Sequence, residues 1–364
     1  MRAFQLVTEC EGPLALNDNA FELCRDFIKP DGGKFFRQVS RYDDYLADLQ
    51  KKPDYKAGDT LKLILPFLKA YGLTNTQLLD YSRKNIMLMP GAAEAYKFLH
   101  GQKFPIFEIS TSYRQFAEAV GLKLGVGASH IFCTELDLDR YPLSPGEGEE
   151  LRRLKGEIAG APEIELHPEA ASLQDLPGPV QEAIAKLDRI FWEMIPKMNM
   201  GVIYREVNPL GGPEKARALG DILKKTGIGM ADTIYVGDSI ADVQAFQAAK
   251  SGGGLGISFN GNRYAVNAAQ VVVVSDSSWP IALLTAIFSL WGKEGVLELA
   301  AGAGKPGGSR HLVIPEAVIE PIAMGLQGRL FNLYPGDTPH RDKVARESAA
   351  MRTRLRGAAI AALG

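Results

Sequence analysis

Apolar residues occur in short runs that alternate with longer stretches of helical spacing. The first run, Ala3–Val7, gives way to polar residues and predicts a buried strand. Runs at 104–109, 233–236, 255–259 and 271–274 predict further strands, and apolar residues spaced by three or four positions predict helices between them. Strands that alternate with helices favour a parallel sheet covered by helices. We therefore expect an α/β fold with a doubly wound parallel sheet.

Two segments interrupt this rhythm. One is a long helical stretch after the first strand, and the other is rich in proline, glycine and acidic residues and contains two predicted helices. Both are expected to be insertions into the sheet domain. The predicted organisation is a core of residues 1–14, 92–135 and 200–285, a helical cap of 15–91, a second insertion of 136–199 and a helical C-terminal extension of 286–364.

Composition narrows the functional classes. The 41 basic and 43 acidic residues leave a net charge of -2, which argues against general binding to nucleic acid or an anionic membrane. The three cysteines are far apart and form no CxxC pair, so a reducing compartment is expected. The first residues do not read as a signal peptide, and the apolar stretch 281–291 falls short of the ~20 residues that span a bilayer. These observations predict a cytoplasmic protein without a membrane partner.

Four short elements place chemically useful side chains at predicted strand ends or at a helix start. In a parallel sheet, such groups meet beyond the carboxyl ends of the strands. Carboxylates are the hard oxygen ligands that Mg²⁺ prefers, while a lysine and hydroxyl groups suit phosphoryl oxygens. The elements therefore predict a site for Mg²⁺ and phosphate. In chain order they are Glu9 and Glu11, Ser110 and Thr111, Lys215, and Asp238 and Asp242.

These motifs, in this order, resemble those of phosphohydrolases of the haloacid dehalogenase (HAD) superfamily. The match extends over roughly residues 4–275 and does not reach the C-terminal extension. Within the superfamily, the stretch GPLALNDNAFEL is most similar to the group labelled energy-converting hydrogenase A subunit R-like. The resemblance implies a HAD-like Rossmannoid core and Mg²⁺-dependent hydrolysis of a small phosphorylated metabolite.

The resemblance also implies roles for the acidic residues. The residue at position 9 would attack phosphorus, and Glu11 would protonate the leaving oxygen and then activate water. Mg²⁺ would be held by Glu9, the backbone carbonyl of Glu11 and Asp238, with Asp242 in or beside the metal shell.

Phosphoryl oxygens would be bound by Ser110, with Thr111 beside it, and by Lys215. Asn260 follows a predicted strand and is a further candidate for substrate contact. A structural turn at Asn260-Gly261 is an equally good interpretation of that position.

Position 9 departs from the family pattern because it carries glutamate where aspartate is usual. The extra methylene adds a reach of about 1.5 Å, and a misplacement of about 1 Å can slow an oriented attack on the order of 10²-fold. Two functions therefore stay open: a phosphohydrolase, or a catalytically weak or inactive HAD-fold protein that acts as a binding or regulatory subunit. A second copy of the chain or another protein, bound through the C-terminal extension, is a further candidate partner.

Overall fold

A seven-stranded sheet forms the centre of the computed structural model, which describes residues 3–167, 169–303, 313–361 and 363. Residues 304–312 of the predicted C-terminal extension lie outside this description. The strand order is β3-β2-β1-β4-β5-β6-β7, and every neighbouring pair is parallel except β6 with β7. The strands are β1 (Gln5–Thr8), β2 (Ile106–Tyr113), β3 (Ile131–Thr134), β4 (Thr233–Gly237), β5 (Leu255–Phe259), β6 (Val271–Ser275) and β7 (Phe331–Pro335).

Strand β1 lies in the middle of the sheet and is buried along its whole length. Its residue Leu6 pairs with Ile106 of β2 on one side and Ile234 of β4 on the other. Central parallel strands are covered on both faces, which explains their nearly continuous apolar sequences. The order and direction of the strands confirm the predicted α/β fold, a doubly wound and mostly parallel sheet with insertions.

Helices flank the sheet and build both insertions. Those between β1 and β2 are α1 (Asn19–Phe27), α2 (Gly32–Asp44), α3 (Thr60–Ala70), α4 (Asn75–Lys84) and α5 (Ala92–Gly101). Between β2 and β4 they are α6 (Arg114–Leu124), α7 (Pro145–Gly160), α8 (Gly178–Asp188), α9 (Ile203–Glu206) and α10 (Pro213–Thr226). After β4 the helices are α11 (Val243–Ser251), α12 (Arg263–Ala268), α13 (Trp279–Gly302), α14 (Glu316–Leu326), α15 (Arg341–Arg356) and α16 (Ala358–Ala361). Single π-helical segments continue α2 and α8 at Tyr45–Leu49 and Arg189–Met194.

The two insertions share one buried apolar cluster. Helices α2 and α3 of the first insertion pack against α7 of the second. Leu63, Leu154 and Phe191 are buried in the same cluster, although they come from distant parts of the chain. Burial of such apolar surface is the main favourable contribution to folding, so the two insertions stabilise each other.

The C-terminal extension requires one correction. It was expected to be helical, but it contains strand β7, which pairs antiparallel with β6 through the register Val273 with Leu333. Helix α15 then packs against α12 and β6. The extension therefore widens the sheet and brings the last helices back onto the core.

Helix α13 is the one helix in the described ranges that is long and apolar enough to cross a membrane by length and composition. The apolar window is 61% buried, as in the core helix of a soluble protein, and the helix is interrupted at Gly292, which has φ 67°. This helix is weak evidence for a membrane span.

Candidate active site

Glu9 lies where β1 leaves the sheet. Its backbone N–H donates to the carbonyl of Val236 at 2.8 Å, so the residue is fixed against the end of β4. The side chain is buried, with Oε1 accepting a hydrogen bond from the backbone N–H of Cys10 at 3.0 Å. Its second oxygen, Oε2, contacts the ammonium group of Lys215. Glu9 is therefore a positioned carboxylate at the carboxyl edge of the sheet, as predicted.

Lys215 lies in the first turn of α10 and is 1% exposed. Besides contacting Glu9, its Nζ donates to Asp242 Oδ1 at 2.7 Å. The same Asp242 oxygen accepts from the Tyr235 hydroxyl at 2.6 Å. Burial alone would raise the pKa of Asp242. The ammonium of Lys215 and the hydrogen bonds that Asp242 accepts hold that pKa below its usual value.

Asp242 organises the loop that carries Asp238. Asp242 Oδ2 accepts hydrogen bonds from the backbone N–H groups of Asp238 and Ser239, both at 2.9 Å. With both oxygens used by protein groups, Asp242 makes the contacts of a positioning residue, and its role as a metal ligand stays a prediction.

Asp238 is buried at the same edge and faces the turn that follows Glu11. Gly12 in that turn has φ +95°, and a Cβ built on it would lie 2.4 Å from Asp238 Oδ2. Only glycine combines this conformation with such a close approach. The two acidic motifs, 227 positions or more apart in the sequence, are thus packed directly together.

Glu11 points from the core towards the first insertion. Its Oε1 accepts a hydrogen bond from the backbone N–H of Asn19, at the start of α1, at 2.8 Å. Burial raises the pKa of Glu11 to about 8, and the nearby carboxylate of Asp18 adds to the rise, while Arg356 opposes it. The protonated form of Glu11 is therefore favoured in this arrangement.

The hydroxyl cluster differs in detail from the prediction. We expected the strand to end before Ser110, but β2 continues to Tyr113. Ser110 is completely buried, and its Oγ accepts from the backbone N–H of Ser112 at 3.2 Å. Thr111 and Ser112, rather than Ser110, line the cavity at the site. Sequence reasoning missed Ser112 because it assigned the strand end too early.

Asn260 has a structural role here instead of the expected substrate contact. Its Nδ2 donates to the carbonyl of Ser275 at 2.7 Å, and its Oδ1 accepts from the Ser275 N–H at 2.9 Å. The residue has φ 47°, a left-handed conformation that asparagine tolerates better than most residues. The amide thus joins the ends of β5 and β6, and Asn260 does not line the cavity. The turn interpretation describes this position better.

Two arginines from α15 complete the site, and sequence reasoning missed both. Arg352 Nη1 donates to Asp238 Oδ2 at 2.5 Å, and Arg356 Nη1 lies 3.5 Å from the same oxygen. Burial raises the pKa of Asp238, and the two guanidinium groups oppose that rise. No sequence signal distinguishes these arginines from the others in the basic stretch of α15, because only the return of the chain onto the core brings them here.

Glu9, Glu11, Asp238, Arg352 and Arg356 line a cavity of about 120 Å³. The first insertion contributes Asp18, Asn19 and Phe36 to its wall. Asn19 is 1% exposed, and neither of its amide atoms has a hydrogen-bond partner among the described residues. Buried polar groups are usually paired, so this amide is a candidate contact for a bound molecule.

Comparisons with known proteins extend this picture. Neither the models of known protein families nor the curated proteins match the chain. Among solved structures, a substrate-bound phosphoserine phosphatase is similar with a TM-score of 0.44 and 16% identity, covering 75% of this chain and 93% of that one. A haloacid dehalogenase-like protein of unknown function, ATU0790 from Agrobacterium tumefaciens, has a TM-score of 0.29 and 11% identity over 71% and 82% of the two chains. At these values neither structure bears on the function of this chain.

The gene product AF1437 from Archaeoglobus fulgidus is similar along its length. Its TM-score is 0.78 at 30% identity, and the alignment covers 100% of this chain and 99% of that one. The similarity therefore includes the C-terminal extension, which the sequence motifs do not reach. The protein belongs to the family of the AF1437 gene product of Archaeoglobus fulgidus, and its core is a doubly wound, mostly parallel sheet.

Proposed function

We propose that the protein is a HAD-like phosphohydrolase that acts on a small phosphorylated metabolite, with Mg²⁺ as cofactor and Glu9 in place of the usual aspartate. The observation that carries this proposal is the meeting of Glu9, Lys215 and Asp238 at one sheet edge, on or beside a single cavity. Buried, fixed charges at such an edge are the arrangement that stabilises a reacting phosphoryl group.

Binding of Mg²⁺ depends on which carboxylate oxygens of the site are free. The donors are chemically suitable, since Glu9, Glu11 and Asp238 offer hard oxygens. However, the described part of the chain contains no group of three or more His, Cys, Asp or Glu side chains positioned to hold a metal ion. One oxygen of Glu9 faces Lys215, and one oxygen of Asp238 faces Arg352. As arranged, the residues do not fit a bound Mg²⁺, and its use by this protein stays a prediction.

The chain's own residues suffice to describe the proposed reaction. A Glu9 oxygen attacks phosphorus, the bond from phosphorus to the leaving oxygen breaks, and the Glu11 proton passes to that oxygen. Glu11 then takes a proton from water as the water oxygen attacks phosphorus and releases Glu9. Lys215 holds Glu9 in place and offsets the negative charge that accumulates.

A second candidate function is a HAD-fold protein that binds a phosphorylated molecule with little or no turnover. Two observations favour it: the longer Glu9 side chain and the pairing of Asp238 with Arg352. Three further predictions are compatible with either function and stay predictions. They are membership of the energy-converting hydrogenase A subunit R-like group, a cytoplasmic location and a partner bound through the C-terminal extension.

Hydrolysis of an aryl phosphate in the presence of Mg²⁺ separates these possibilities. The purified protein is compared with Glu9→Gln, Glu9→Asp and Asp238→Asn, and with Asp221→Asn as a control on an exposed carboxylate. The phosphohydrolase proposal expects turnover that Asp221→Asn keeps and that Glu9→Gln and Asp238→Asn lose by about 10²-fold or more. An inactive parent with an active Glu9→Asp variant supports the binding protein. Equal rates in the parent and Asp238→Asn refute the proposal.

A further inference from the structure

Asp238 is paired with two arginines in the wall of the candidate site. Arg352 Nη1 donates to Asp238 Oδ2 at 2.5 Å and to the Asp238 carbonyl at 3.3 Å. Arg356 Nη1 lies 3.5 Å from the same Oδ2. The side chains of Arg352, Arg356 and Asp238 are 7%, 5% and 5% exposed. A carboxylate oxygen that faces two buried guanidinium groups is already compensated, and a further cation beside it would be repelled.

The arginines are held in place by contacts with the backbone. Arg356 Nε donates to the carbonyl of Leu16 at 3.0 Å, and its Nη2 donates to the carbonyl of Asn17. Both carbonyls lie where the chain leaves the core for α1. On the same helix as the arginines, Ser348 Oγ donates to the carbonyl of Gly261 in the core at 2.7 Å. The two guanidinium groups are therefore built into the cavity wall.

The ionic groups at this edge of the sheet balance one another. Three carboxylates and three cations of the described residues form one buried network, in which the backbone N–H of Asp238 donates to Asp242 Oδ2 and so joins its two halves. Because each carboxylate is matched by one cation, the formal charges cancel. The six residues are Glu9, Asp238, Asp242, Lys215, Arg352 and Arg356.

Three more carboxyl groups line the cavity, and burial favours their neutral forms. Burial raises the pKa of Glu11 to about 8 and that of Asp43 to about 7, and it also raises the pKa of Asp18. A neutral carboxyl group offers a hydrogen-bond donor and does not repel an anion. These groups therefore leave the balance of the network unchanged.

Two buried donors of the cavity wall have no partner. Arg352 Nε has no hydrogen-bond acceptor among the described residues, and the amide of Asn19 is likewise unpaired. Buried donors without acceptors are unfavourable, so a bound molecule with exposed oxygen atoms would stabilise this arrangement. Guanidinium groups suit the oxygens of a phosphate group. A cavity of about 120 Å³ suits so compact a group, since pockets for drug-sized molecules span ~300–1,000 Å³.

We propose that Arg352 and Arg356 supply the positive charge of the phosphoryl site themselves, so that a phosphate group binds in this cavity without a divalent cation. The Nε of Arg352 and the amide of Asn19 donate to its oxygens. The inference rests on the proposed function, because it takes this cavity as the phosphoryl site, but it assigns to two arginines the charge that Mg²⁺ was expected to supply.

Binding of inorganic phosphate tests the inference without any need for turnover. Phosphate is titrated by calorimetry into the full-length protein, once with excess EDTA and once with saturating Mg²⁺. We expect the two dissociation constants to agree within about twofold, since the site needs no added cation. Phosphate should also raise the melting temperature of the unmodified protein in EDTA, a readout that does not depend on the folding of a variant.

Two variants test the assigned donors. Arg352→Lys keeps a positive charge beside Asp238 but loses the Nε–H, and Asn19→Ala loses the amide. In EDTA, each should bind phosphate about tenfold more weakly than the parent or worse. Arg346→Lys, a control on an exposed arginine of the same helix, should match the parent.

The possible failures are distinguishable. Phosphate binding that requires Mg²⁺ overturns the inference and spares the proposed function, as does parental affinity in both Arg352→Lys and Asn19→Ala. No phosphate binding under either condition counts against the inference and the proposed function together. Binding in EDTA by a protein that hydrolyses no aryl phosphate supports the inference and favours the binding protein over the phosphohydrolase.

Discussion

Lys215 and Asp242 form a buried ion pair, with Nζ 2.7 Å from Oδ1 and the two side chains 1% and 0% exposed. The ammonium also contacts Glu9, so one cation holds two carboxylates that lie 233 positions apart in sequence. Its place in the first turn of α10 aims the long side chain across the carboxyl edge of the sheet. The lysine thus serves the stability of the fold and the geometry of the proposed nucleophile together.

We expect Lys215→Met to destabilise the protein by about 3–5 kcal/mol, because it leaves Glu9 and Asp242 buried without their cation. Urea unfolding measures the change, and Lys224→Met is the matched control, since Lys224 is 81% exposed and pairs with Asp221 on the surface. The control should stay within about 0.5 kcal/mol of the parent. A loss below about 1 kcal/mol in Lys215→Met would show that the pair is not a buried one.

Much of the core was predictable from local pattern. Apolar runs identify the parallel strands, and the rule that strand ends meet at one edge brings Glu9, Lys215 and Asp238 together. In the structure Lys215 contacts Glu9, and Glu9 and Asp238 line the same cavity. The prediction worked because each of these residues lies immediately after a strand or at the start of a helix, where the fold itself fixes the position of the side chain.

Other parts depended on contacts that no local pattern records. Arg352 reaches Asp238 only because β7 and α15 bring the end of the chain back onto the core. Asn260 was ambiguous for the same reason, since its hydrogen-bond partner, Ser275, belongs to the next strand. The end of β2 was misplaced because the polar sequence Ser110-Thr111-Ser112 resembles a loop, although it continues the buried strand.

The role of Asn260 can be tested by two substitutions. Asn260→Ala removes two buried hydrogen bonds to Ser275. It also places alanine, whose side chain forms no hydrogen bond, at φ 47°. We expect the two effects together to lower the free energy of unfolding by about 2–4 kcal/mol. Asn260→Gly loses the same hydrogen bonds but accepts the backbone conformation, so it should be less destabilised. Both variants should keep the KM for an aryl phosphate. A raised KM with unchanged stability would restore the original prediction of substrate contact.

Glu108 makes the stability of the protein depend on pH. It is fully buried on β2, neither carboxyl oxygen has a partner among the described residues, and burial raises its pKa from 4.5 to about 8. As pH rises above 4.5, the unfolded chain loses this proton while the native protein keeps it. Stability therefore falls between about pH 4.5 and pH 8, by at most about 5 kcal/mol from this one group.

Glu108→Met should remove that contribution, because methionine fills a similar volume without an ionisable group. We expect the variant to be more stable than the parent by a few kcal/mol at pH 8 and to differ little at pH 5. Urea unfolding across this range measures the slope, with Glu182→Met on an exposed face of α8 as the control. Parallel slopes for the parent and Glu108→Met would contradict the assignment.

Gly12 tests how closely the two acidic motifs are packed. In Gly12→Ala the new Cβ would approach Asp238 Oδ2 to 2.4 Å, so the turn or the carboxylate must shift and the contact with Arg352 weakens. Gly72→Ala separates this clash from backbone strain, because Gly72 also has a positive φ, +86°, but no atom lies within 4 Å of its Cβ position. We expect the control to lose about 1 kcal/mol and Gly12→Ala to lose about 2–3 kcal/mol more, as measured by urea unfolding. Hydrogen exchange of the α15 amides should also be faster in Gly12→Ala than in Gly72→Ala. Equal stability of the two variants, with equal protection of these amides from exchange, would mean that Asp238 is not held against this turn.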